Sequence, residues 1–119
     1  MARVLVIEDT HADLELLTKA LQAAGHIALV AATAAAGLSL ARAILPDLII
    51  LDIELAAVDG HTVVRRLKDD SSTRYIPIIA VMPSGEAAAD IVAKGYDSGI
   101  SKPLDADLLR SKVQELIQK

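Results

Sequence analysis

Leu48-Ile49-Ile50-Leu51-Asp52, reached through Pro46-Asp47, sets four apolar residues in a row and ends them on an acid. The run does not alternate, so neither face of a strand built from it can be left to water. A short, continuous apolar run of this kind reads as a strand covered on both faces. Working outward, the same pattern recurs at Val4-Leu5-Val6-Ile7, at 27–31 and at 78–81, with a weaker strand expected around 98–101. Helical patterns fill the gaps. Leu14, Leu17 and Leu21 recur at helical spacing before a stop at Gly25, and an Ala-rich helix over 34–44 ends before Pro46. A third helix starts near Gly60 and carries Val63, Val64 and Leu67; a fourth covers about 86–94 and closes at Gly95. The last opens on Asp105 as its N-cap and presents Leu108, Leu109, Val113, Leu116 and Ile117 along one stripe. Five β-then-α units predict a doubly wound α/β fold, because parallel strands need crossover helices and those crossovers are right-handed.

Composition agrees with this reading and narrows the function. The chain has 119 residues, the size of one domain, and 53% are hydrophobic, enough to bury a sizeable core. With no Phe and no Trp, that core must be aliphatic. Lys and Arg number 12 against 16 Asp and Glu, for a net charge of -4. No basic arm or Lys/Arg run occurs, which argues against direct nucleic-acid binding. Without cysteine, disulfides, thiolate metal sites and cysteine catalysis are excluded. The first apolar run stops at Glu8-Asp9, and the longer apolar zone from Ile27 to Leu45 is interrupted by Thr33, Gly37, Ser39 and Arg42. Neither suits a signal sequence or a membrane span, so a cytoplasmic protein without membrane attachment is expected.

Folds of this kind bind ligands outside the carboxyl ends of their strands. There the first strand ends in Glu8-Asp9, the third in Asp52 and the fifth in Ser101-Lys102-Pro103. Three carboxylates and an ammonium group therefore converge on one edge. Each acid alone could simply cap the helix that follows it. As a set they repel one another unless a cation sits between them, and Mg²⁺ suits hard oxygen ligands.

The succession V-L-V-I-E-D, P-D-L-I-I-L-D-I, D-G at Asp59-Gly60, P-I-I-A-V and S-K-P-L resembles the receiver domains of bacterial two-component response regulators, over nearly the whole chain. That resemblance implies a flavodoxin-like five-stranded sheet of order 2-1-3-4-5 with five helices, as one receiver domain over 1–119. It implies a phosphoprotein of a phosphorelay, a phosphoacceptor rather than a classical enzyme, with at most self-catalysed phosphoryl transfer and autodephosphorylation. By resemblance Asp52 is the phosphoacceptor, Asp9 a direct Mg²⁺ ligand, Glu8 a supporting one through water, and the backbone carbonyl of Glu54 a further ligand. Lys102 would pair with a phosphoryl oxygen, and its bond to Pro103 would be cis. The implied partners are a sensor histidine kinase or histidine phosphotransfer protein as donor, and a downstream protein target. With no room for an effector after the last helix, a free-standing or excised receiver is expected.

Two positions depart from the family pattern. The fourth strand usually ends in Thr or Ser, whose hydroxyl binds the phosphoryl group; here Met82 stands there, followed by Pro83. A thioether cannot donate that hydrogen bond, though Ser84 could reach in if the loop is rearranged. The aromatic that usually precedes I-S-K-P is replaced by Gly99, which suggests a close backbone approach or a bend. The segment between Met82 and Pro103 also looks short, as if the loop before the fourth helix were trimmed. These departures keep open a second reading, a degenerate receiver that binds partners without phosphorylation. A dehalogenase-type phosphatase reading of Asp52-Ile53-Glu54 would need further motifs that are absent. His11 is expected at an exposed helix start, and His26 and His61 at ordinary surface positions.

Overall fold

The protein is described here by a computed structural model covering residues 1–55, 60–83 and 88–117, the side chains of 88–90 excepted. Five strands alternate with five helices: β1 (Arg3–Ile7), α1 (His11–Ala23), β2 (Ile27–Ala31), α2 (Ala34–Ile44), β3 (Leu48–Asp52), α3 (Gly60–Asp69), β4 (Ile78–Met82), α4 (Ala88–Ala93), β5 (Ser98–Ser101) and α5 (Ala106–Ile117). All pairings are parallel and the order is β2-β1-β3-β4-β5, the flavodoxin-like arrangement.

The non-alternating runs have their physical cause in the two layers of helices. Leu5, Ile7, Ile49, Leu51, Ile78, Ala80 and Met82 face one core, closed by α2, α3 and α4 through residues such as Leu38, Val63, Leu67 and Ile91. Val4, Val6, Leu48, Ile50, Ile79, Val81 and Ile100 face the other, against Leu17 and Leu21 of α1 and Leu109 and Val113 of α5. Side chains still alternate along each strand; both faces are simply dry. Each such aliphatic side chain contributes roughly 1.5–3 kcal/mol on full burial, which is how a core without Phe or Trp suffices.

Helix boundaries follow local chemistry. Thr33 caps α2 by accepting from the Ala36 N–H at 3.1 Å. Asp105 caps α5 as expected, accepting from the N–H groups of Asp107 and Leu108 at 2.9 and 3.2 Å. Gly25 (φ +87°) and Gly95 (φ +105°) end α1 and α4 in the left-handed region. Strands β3 and β4 each run one residue beyond the apolar stretch, taking in Asp52 and Met82, because the ladder continues: the Ile53 N–H donates to Val81 at 3.1 Å and the Lys102 N–H to Met82 at 2.9 Å. The expected start of the fourth helix near 86, the Asp59 turn and Ser84 lie outside the described residues.

Candidate functional site

Parallel topology places every strand's carboxyl end on the same rim, so the acids that follow β1 and close β3 meet there. Carboxylate oxygens of Glu8, Asp9 and Asp52 all lie within 4.8 Å of one another. Glu8 is fully buried and Asp52 is 2% exposed, while Asp9 stands at the surface. Local backbone fixes the two buried groups. Glu8 Oε2 accepts from the N–H groups of Asp9 and Thr10 at 3.0 and 3.3 Å, where the chain turns into α1. Asp52 Oδ1 accepts from the Glu54 N–H at 2.8 Å, which turns its other oxygen toward Lys102.

Glu8 Oε1 is buried and has no hydrogen-bond partner among the described residues. A buried carboxylate oxygen left in that state is costly. Burial first, and then the adjoining Asp52 carboxylate, push the Glu8 carboxyl up to about 8, against a downward pull from Thr10 and Lys102. The orphan oxygen and two further carboxylates form a hard, all-oxygen donor set of the kind Mg²⁺ accepts. The residues present fit the ion, and a proton on Glu8 is the alternative way to settle their charge.

Lys102 reaches the rim from the far end of β5. Its Nζ lies 3.4 Å from Asp52 Oδ2 and 3.0 Å from Asp13 Oδ2, in the first turn of α1. Burial alone would lower its pKa, but the hydrogen bond to Asp13 and the charges of Asp52, Glu8 and Asp13 raise it above the ordinary value. It is a firmly charged ammonium among carboxylates. The Lys102–Pro103 peptide bond is cis, as the resemblance implied. The Glu54 side chain is exposed, leaving its backbone as the part directed at the pocket. Gly60, the first residue of α3, packs against the strand end: a Cβ there would come within 2.5 Å of Ile53 Cα.

Met82 and Gly99 turn out to be neighbours. Met82 is 3% exposed, and a Cβ built on Gly99 would meet its Cε at 2.8 Å and its Sδ at 3.1 Å. The thioether lies where a side chain at position 99 would begin. Gly99 thus marks a close approach, as expected for glycine in a strand, but the approaching group is the other departing residue.

The histidines divide. His11 is exposed and pairs with Glu15, as expected. His26 and His61 are not ordinary surface residues. His26 is half-buried, its Nδ1 accepting from the Ala2 N–H at 3.1 Å. His61, also half-buried, places Nδ1 3.1 Å from the hydroxyl of buried Tyr96, with the rings edge to face at 5.5 Å. The sequence reading missed this contact because its partners are 35 residues apart with no periodicity joining them. It also missed Asp13, whose only available signal was its place one helical turn beyond Asp9.

Among the described residues no helix is long and apolar enough to cross a membrane. Comparison with known proteins matches residues 4–114 to the response regulator receiver domain family. The response regulator PleD of Caulobacter vibrioides is 36% identical over 119 residues, covering 97% of this chain and 26% of PleD. The polar-differentiation response regulator DivK of Brucella ovis is 35% identical over 103 residues, 85% of this chain and 84% of DivK. A candidate response regulator from Chloroflexus aurantiacus superposes with a TM-score of 0.93 at 26% identity, covering 99% of this chain and 98% of its own. The chain thus spans about a quarter of PleD, 84% of DivK and 98% of the Chloroflexus protein. With its sheet order, strand-end acids and following lysine in place, the chain belongs to the response regulator receiver domain family of two-component signalling.

Proposed function

We propose that residues 1–119 act as one receiver unit in which Asp52 accepts a phosphoryl group from a phosphohistidine, supplied by a sensor histidine kinase or a histidine phosphotransfer protein. The observation that carries this reading is the meeting of Asp52, Glu8 and Asp9 within 4.8 Å, with Lys102 3.4 Å from the Asp52 carboxylate. Receiver domains work in phosphorelays and are phosphoacceptors rather than classical enzymes. What is proposed for this chain is the assignment of roles, a cytoplasmic location and a downstream protein target.

In the proposed transfer an Asp52 oxygen attacks phosphorus in line, the P–N bond breaks, and its electron pair returns to the partner's imidazole nitrogen. Glu8, Asp9, Asp52 and the Glu54 carbonyl would hold Mg²⁺, which supplies charge neutralisation for acceptor and phosphoryl group. The chain's own work is placement. The Glu54 N–H fixes the Asp52 carboxylate, and Lys102 stands ready to take a phosphoryl oxygen. Burial of Asp52 limits water near the acyl phosphate it would form.

The test is incubation with a small phosphodonor such as acetyl phosphate and Mg²⁺, followed by intact-mass measurement. One added phosphoryl group is expected in the unmodified protein, none in Asp52→Ala and little in Lys102→Ala. Uptake that survives in Asp52→Ala, or none in the unmodified protein at any donor concentration, sinks the assignment.

A further inference from the structure

Lys102 is shared between two carboxylates, and its shorter contact is not the one to the proposed phosphoacceptor. Nζ lies 3.0 Å from Asp13 Oδ2 and 3.4 Å from Asp52 Oδ2. Asp13 belongs to α1, one turn beyond Asp9, and its side chain is 26% exposed against 2% for Asp52. The first helical turn favours an acid at this position, but that preference does not direct the carboxylate at Lys102. No side-chain hydrogen bond caps α1. The nearby helix charges are engaged elsewhere, Glu15 pairing with Lys19 at 2.7 Å and with His11 at 3.7 Å. Lys102 is the only ion-pair partner Asp13 has among the described residues.

We infer that Asp13 is a positioning residue that draws Lys102 toward α1 and thereby lowers the occupancy of the phosphorylated state. This inference rests on the reading of Asp52 as phosphoacceptor. On phosphorylation the Asp52 carboxylate, with one negative charge, becomes an acyl phosphate carrying close to two. The ammonium is then the natural partner of a phosphoryl oxygen, and Asp13 competes for it. Asp13 also adds a fixed negative charge beside a group that has just gained one. Both effects favour the unphosphorylated state, and a ligand or modification shifts an equilibrium only through such differential contacts. Because the pair is part-exposed, the effect is moderate and screened by salt.

The test titrates beryllofluoride, a phosphoryl mimic, at saturating Mg²⁺ into the unmodified protein, Asp13→Asn and Asp13→Glu, following backbone amide shifts, at low and high salt. Asp13→Asn should bind roughly two- to fivefold tighter than the unmodified protein, the span of a part-exposed ion pair, and the gain should shrink as salt rises. Asp13→Glu, which keeps the charge, should stay near the unmodified affinity. A purely structural role, through the favourable place of an acid in the first turn of a helix, would lower the melting temperature of Asp13→Asn without tightening binding. Equal or weaker binding by Asp13→Asn overturns the inference while leaving Asp52 as acceptor. If the unmodified protein shows no shifts that Asp52→Ala abolishes, the phosphoacceptor reading of Asp52 fails and the inference with it.

Discussion

Two neighbouring parts of the rim have been treated in opposite ways. At the ends of β1 and β3 the chain crowds charge: Glu8 is fully buried, Asp52 nearly so, and a cation is held close by. One strand further, at the seam between β4 and β5, polarity has been removed. Where the resemblance leads one to expect a hydroxyl and an aromatic ring, Met82 and Gly99 form an apolar contact, the thioether lying where a side chain at position 99 would begin. The first region bears the cost of buried, mutually repelling carboxylates, which Lys102 offsets in part and a metal or a proton would relieve further. In the second, the Met82–Gly99 contact sets a thioether against a residue with no side chain. On the proposed reading, capture of a phosphoryl group and transmission of its arrival would rest on separate residues, and one set could be kept while the other is replaced.

The sharpest way to break the contrast is at the charged end. Asp9→Asn removes one of three clustered carboxylates. Mg²⁺ affinity should fall by more than about tenfold, the lower bound for losing even a partner that only orients a metal ligand. Titration calorimetry checks this, and unchanged affinity would remove the metal site from the acid cluster. Met82→Leu, by contrast, should leave Mg²⁺ affinity as it was.

A smaller effect concerns stability. Glu8 carries a carboxyl raised from 4.5 to about 8. Between those values the folded chain binds a proton that the unfolded chain has already lost, so stability falls as pH rises through that window. Below about pH 4.5 the folded and unfolded chains are equally protonated at Glu8, and above about 8 the destabilisation is complete. With a chelator present, the melting temperature should drop between pH 5 and pH 8.5, by on the order of ten degrees. Glu8→Gln should flatten the drop, and Mg²⁺ should offset it by binding the folded state. A melting temperature that rises across this range in chelator would mean that Glu8 is ionised from the start.

How much of this could be read without a structure differs between the same two regions. The strands were legible because a sheet dry on both faces needs unbroken apolar runs, and the acids because they stand where such runs stop. Asp52 and Met82 stand at the ends of their strands in the sequence pattern, and the ladder runs through both. Met82 and Gly99 each read as a separate loss. Their contact is set by the register that pairs Ala80 with Gly99 and Met82 with Ser101 across β4 and β5, and register between distant segments leaves no local periodicity. Asp13 was hidden for a related reason. An acid in a first helical turn is favoured by the helix dipole anyway, so its type gives no hint of the lysine it meets 89 positions on.

The finest effect is expected at the β4–β5 seam, and it decides whether Met82 and Gly99 act as one unit. Gly99→Tyr alone requires Met82 Cε, 2.8 Å from the added Cβ, to move; the thioether end is flexible, so the cost falls at the low end of overpacking, about 1 kcal/mol. Met82→Thr removes the thioether and frees that space. The double substitution should therefore be more stable than the two single effects sum to, by about 0.5–1 kcal/mol of coupling. Denaturant unfolding of the four proteins measures it, and additive effects would mean that the residues only happen to touch. The same variants report on signalling. A hydroxyl bonded to a charged oxygen is worth roughly 1.5–3 kcal/mol, a differential contact that Met82 cannot make. Beryllofluoride should thus perturb amides near Asp9, Asp52 and Lys102 strongly in the unmodified protein, and those over 91–98 only weakly. In the double variant, with a hydroxyl to pull and a ring to turn, the changes over 91–98 should grow. Broad changes there in the unmodified protein would show that this seam transmits the signal as it stands, and the contrast between the two regions would collapse.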